Sequence, residues 1–128
     1  MPGMSDYLEN RILNHVLKGT AYTVPAGIYV ALFTSDPTDA GTGTEVSGGA
    51  YARQAVTFNT ATIGATATAA DVLFPVATAA WGTVTHIGLF DAVTGGNLLF
   101  SSVLTTSKSV PAGDQIKINA GDITVTLD

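Results

Sequence analysis

The chain has 128 residues, a net charge of −5 and no cysteine, which excludes a disulfide framework and any thiolate metal site. Its five basic residues form no stripe that could neutralise phosphates, so a nucleic-acid partner is not expected, and no apolar run is long enough to span a membrane. Hydrophobic residues make up 46% and charged residues only 12%, so the surface is poor in the mixed charge that keeps a subunit solitary, and part of it is expected to be buried against neighbours.

The length predicts a single domain over residues 1–128. Met1–Met4 reads as a loose lead-in, and the N-terminal stretch lacks the charged-then-apolar pattern of a secretory signal. Ser5 is placed to cap a helix, Asp6 and Glu9 suit its positive end, and Lys18 and Gly19 suit its close. Leu8, Ile12, Leu13, Val16 and Leu17 recur at helical spacing, so residues 5–18 are predicted as an amphipathic helix. Its stripe must dock, and the short 20–27 connector favours docking on the chain's own sheet over a neighbouring subunit.

Ile28–Thr34 is apolar on both faces, the mark of an interior strand. Residues 35–49 are polar and glycine-rich and predict a long, exposed, mobile loop. Tyr51–Asn59 alternates, with Gln54, Val56 and Phe58 on one face and Tyr51, Arg53, Ala55 and Thr57 on the other. Residues 60–70 read as a loop or edge strand, and Asp71–Val76 as a short edge strand because of Pro75. The segments 83–90 and 97–104, joined by a glycine turn, form a hairpin too apolar to wet either face, so it belongs mid-sheet. Residues 105–110 read as a polar strand or loop. Gln115–Asn119 and Ile123–Leu127 predict a last hairpin with Ile116, Ile118, Ile123, Val125 and Leu127 inward. Seven to eight strands at this spacing predict a mostly β fold, an antiparallel sandwich or barrel with one N-terminal helix.

Candidate chemistry is sparse. His86 and His15 lack the spacing of a zinc site, and Asp36, Asp39 and Glu45 share a loop without matching a calcium-binding pattern. No nucleophile elbow or acid/base pair is present, so no catalytic residue, metal site or cofactor is assigned and an enzyme is not expected. Arg53, one of two arginines, needs a fixed partner: either it pins the glycine-rich loop to its own sheet or it anchors another subunit. Trp81 belongs to the core or an interface, or else stacks a sugar.

Three segments, IYVALFTSDP (Ile28–Pro37), EVSGGAYARQ (Glu45–Gln54) and AWGTVTHIGLFD (Ala80–Asp91), occur in order between the opening helix and the tail NAGDITVTL (Asn119–Leu127). Together they resemble a family of small virion proteins of tailed bacteriophages and prophages, often called tail-fibre-like or minor structural proteins. The resemblance implies a non-enzymatic virion component, assembled in the bacterial host cytoplasm, that either decorates and cements the capsid or belongs to the tail. The partners it implies are major capsid or tail proteins and further copies of the chain. A homotrimer is the expected closed assembly. Arg53, Tyr51, Trp81, Leu13 and Val16 are the interface or structural candidates. The alternative is a carbohydrate-binding module that reads a host glycan through Trp81, Tyr51 and the 36–49 loop.

Overall fold

The computed structural model describes residues 3–127. Met1 and Pro2 of the expected lead-in, and Asp128, lie outside the described residues. In chain order the elements are β1 (Gly3–Met4), α1 (Asp6–Lys18), β2 (Ile28–Phe33), β3 (Gln54–Val56), β4 (Ala65–Ala67) and β5 (Val72–Leu73). Then follow β6 (Gly82–Phe90), β7 (Leu98–Val110), β8 (Lys117–Ile118) and β9 (Thr124–Thr126). The fold is mostly β with one helix, as predicted.

The main sheet is antiparallel in the order β1-β7-β6-β2-β3, which puts the apolar hairpin β6–β7 in its middle. Val30 pairs with Leu89 and Leu32 with Ile87, so these four side chains share one face. That face is covered by Val72, Phe74, Trp81, Ile123 and Val125, which forms the main core. Ala31, Phe33, Phe90 and Leu98 form a smaller cluster, with the Phe33 and Phe90 rings stacked 6.0 Å apart. The second layer consists of two small antiparallel pairs, β4 with β9 and β5 with β8, so the sandwich does not close into a barrel.

One irregularity shapes the sheet. Val84 pairs with Lys108 but His86 pairs with Val103, so Leu104–Ser107 of β7 lie opposite Thr85 alone. A bulge of this kind rotates the strand. It lets Val84 and Ile87, three positions apart, both enter the core.

Several expectations are corrected. Gly3–Met4 is no loose lead-in; it pairs with Phe100 and Ser101. The strand after Tyr51 shrinks to Gln54–Val56, because positive φ at Gly48, Gly49 and Ala50 bends the chain just before it. Tyr51 therefore escapes the expected alternation and packs its ring on Phe74 and Trp81, while its hydroxyl reaches the carboxylate that Arg53 also holds. Of the two readings open for residues 105–110, strand holds: they are the far end of β7. The last hairpin does not form: β8 pairs with β5, and β9 with β4. Leu127, expected inward, is exposed, whereas Ile123 and Val125 are buried. The 35–49 loop is better held than its composition predicts. Thr34 N–H donates to Thr44 O, Val46 N–H donates to Leu32 O, and Pro37 and Val46 are buried.

Among the described residues no helix is long and apolar enough to cross a membrane.

Candidate functional site

The helix begins as its sequence prescribes. The Ser5 hydroxyl accepts from Leu8 N–H at 3.2 Å, and Gly19, in the left-handed region at φ 73°, donates its N–H to Asn14 O. The start is fastened to the body: Ser5 N–H donates to Leu99 O, its hydroxyl to Leu98 O, and Asp6 N–H to Asp39 O. Leu8 is the helix residue that the core claims. Ile12 is half-buried, but the rest of the stripe is bare, with Leu13 54%, Val16 69% and Leu17 78% exposed. The expected docking of this stripe on its own sheet is therefore corrected for Leu13, Val16 and Leu17 and holds for Leu8 and, in part, Ile12. The fastened N-terminal end directs Leu8 inward, and Leu13, Val16 and Leu17 turn outward on the following turns. Val24 in the connector and Leu127 are exposed as well, and Leu127 borders the same groove as Met4, Ile12 and Leu13.

Arg53 is held within the chain. Its Nε donates to Glu45 Oε2 and its Nη2 to Glu45 Oε1, both at 2.8 Å, while Nη1 donates to Ala92 O and Gly95 O in the β6–β7 turn. The guanidinium also lies 3.8 Å from the Phe90 ring centre. Tyr51 completes the set, its hydroxyl donating to Glu45 Oε2 at 2.6 Å and accepting from Leu32 N–H. Burial pushes the Glu45 carboxyl up, but hydrogen bonds from Arg53 and Tyr51 and the guanidinium charge outweigh it, so its pKa falls below the ordinary value. Burial and the Glu45 hydrogen bond push the Tyr51 phenol well above its ordinary value, so it stays a donor. The sequence showed that Arg53 needed a carboxylate or carbonyls; it has both, from segments that spacing alone did not connect.

Trp81 is 5% exposed, donates its Nε1–H to Gly49 O at 2.8 Å, and meets the Tyr51 and Phe74 rings edge-on. A sugar needs an open ring face, so the aromatic platform expected for glycan stacking is absent at Trp81. Asp36, Asp39 and Glu45 do not converge, since Glu45 is committed to Arg53 and Asp36 accepts from Thr38 N–H. His86 Nδ1 meets the Thr85 hydroxyl at 2.8 Å, while His15 Nδ1 lies near Thr20 O and Tyr22 N at the helix end. The two histidines therefore serve different segments. Among the described residues no three His, Asp or Glu side chains gather as metal ligands.

What the chain offers is a packed β body carrying a bare apolar face at Leu13, Val16 and Leu17 of its helix. Residues 3–126 match the family model described as Podophage GP4 fiber I protein gp80. The chain belongs to that family. No curated protein matches it. The family is one of phage fibre proteins, so this chain is a structural component of a phage virion and associates with other virion components. Of the candidates, Leu13 and Val16 lie on the open helix face, whereas Arg53, Tyr51 and Trp81 are committed within the chain. Leu17, more exposed than either Leu13 or Val16, belongs with them; helical periodicity was the signal that identified it.

Proposed function

We propose that the chain is a non-enzymatic, single-domain subunit of a phage tail fibre. It binds copies of itself and neighbouring fibre or tail proteins through the helix face of Leu13, Val16 and Leu17. The family description favours a place in the fibre over capsid decoration. The observation that carries the contact is the exposure of these three side chains on a helix whose start is fastened to the body. Fully covering a large aliphatic side chain contributes roughly 1.5–3 kcal/mol, so these three side chains favour association, against the freedom that the copies lose. A homotrimer that brings three such helices together is the closed arrangement we favour.

Sedimentation of the purified chain tests this. An oligomer is expected, and Leu13→Asp should release a folded monomer with an unchanged β-sheet spectrum. A wild-type monomer at high concentration, or a Leu13→Asp oligomer, would overturn it.

A second reading is host-glycan binding. It now rests on the open polar hollow lined by Asp36, Thr38, Asp39, His86 and Ser101, not on Trp81. A glycan array tests it: a signal abolished by Asp39→Ala supports it, and no signal rejects it.

A further inference from the structure

Leu104 of β7 and Ile116 and Ile118 of the second layer pack on the same core, but among the described residues no strand pairing joins β7 to Gln115–Ile118, and their side chains leave a space between them. The gap is an open hollow of about 380 Å3. Leu32, Val84 and Ile87 form its floor, and Leu104, Ile116 and Ile118 its walls. The floor residues belong to the main core, so the hollow opens onto the interior of the sandwich.

Two further features meet at this gap. The first is charge. Lys108 and Lys117 stand on its rim, two of only five cations in a chain of net charge −5. Lys117 reaches Asp71 at 3.4 Å with both side chains about half exposed, a weak contact, and Lys108 has no carboxylate partner among the described residues. The second is backbone. Leu104–Ser107 bulge away from β6, and among the described residues no other strand pairs with them. On its other side β7 is paired with β1 only at Phe100 and Ser101, so Leu104–Ser107 lie on a free strand edge beside the hollow, with Thr105, Thr106 and Ser107 exposed.

We propose that this gap docks an extended acidic segment of another protein subunit. An apolar side chain of the segment enters the hollow, its carboxylates meet Lys108 and Lys117, and its main chain hydrogen-bonds with the Leu104–Ser107 bulge. Each feature selects one part of this occupant. The floor selects an apolar group. The lysines select negative charge. The unpaired main chain selects a peptide, since a fatty carboxylate satisfies the first two and leaves the amides unmatched. Asp122 lines the adjoining hollow, which shares Ile87 and Leu104, so the acidic end of the segment lies toward Lys108 and away from Asp122. The site extends the assembly role proposed above and does not use the helix face.

The test is a titration of the 15N-labelled chain, followed by amide shifts, with a capped hexapeptide of alternating aspartate and valine. A lysine–valine counterpart and decanoate are the controls. The acidic peptide should shift the amides of Leu104–Lys108 and Ile116–Ile118 saturably, and the basic peptide should not. Lys108→Glu combined with Lys117→Glu should weaken the response about tenfold, because both rim charges are reversed. These lysines are exposed, so the rest of the spectrum should be retained. The Leu13→Asp chain should bind the peptide unchanged, which separates this site from the helix contact. No saturable shift at these amides, an equal response to both peptides, or a response to decanoate alone would overturn the proposal.

Discussion

Arg53 and Glu45 form a two-pronged pair, with two parallel hydrogen bonds of 2.8 Å between guanidinium and carboxylate. The arginine side chain is 7% exposed and the glutamate 25%. The pair joins the end of the 35–49 loop to the start of β3. Through Ala92 O and Gly95 O it also ties in the β6–β7 turn. Two segments eight residues apart and a turn about forty residues further on thus close around one cation.

Arg53→Ala should cost about 3 kcal/mol in urea titration, because it strands a partly buried carboxylate and two carbonyls. Arg53→Lys should recover only part of the loss, since a lysine carries the charge without the planar fork. An Arg53→Ala chain as stable as the wild type would mean that the three segments are held without it.

Acid should loosen the same junction. Burial raises the Glu45 pKa, but the Arg53 and Tyr51 hydrogen bonds bring it below its ordinary value of 4.5. The unfolded chain therefore binds this proton at higher pH than the folded one. The stabilisation is complete above the unfolded value and is lost as pH falls through the lower, folded value. Asp71, lowered by the Ala120 N–H and by Lys117, contributes in the same direction from an exposed site. Stability measured against pH should be flat near neutrality and decline below about pH 4.5. Glu45→Gln should flatten more of that decline than Asp71→Asn.

Gly49 and Gly48 both have positive φ, at 58° and 75°, but only Gly49 is crowded. A Cβ there would stand 2.8 Å from Ala79 O and 2.9 Å from Trp81 Nε1, whereas one at Gly48 would meet nothing within 4 Å. Gly48→Ala should cost about 1 kcal/mol, the strain of a left-handed alanine. Gly49→Ala should cost clearly more and shift the Trp81 fluorescence, because the indole must give up its hydrogen bond to Gly49 O. Equal losses for the two variants would count against the close approach.

Leu89 is 2% exposed at the centre of the main sheet. Leu89→Ala should cost about 2–5 kcal/mol in the same titration, for lost burial plus the cavity left behind. A loss below about 1 kcal/mol would show that the β6–β7 hairpin is not the centre of the core.

The sequence by itself determined what is local. Ser5 and Gly19 bound the helix, because a cap needs only its own turn. Ile28–Phe33 is an interior strand because an unbroken apolar run must be covered on both faces. The apolar hairpin lies mid-sheet for the same reason, and Arg53 required a partner because a cation among so few charges, at the edge of an apolar strand, needs one. Only the tertiary structure decided which distant segments meet. Gln115–Asn119 and Ile123–Leu127 read as a hairpin by alternation, yet each joins an earlier strand, because alternation fixes a buried face and not a neighbour. The 35–49 loop is polar in composition but is held by main-chain bonds to β2, which composition does not encode. The helix stripe is apolar in either outcome. Which part of it is covered depends on where the helix starts on the body, and that is set by the bonds of Ser5 to Leu99 and of Asp6 to Asp39, residues far apart in the chain.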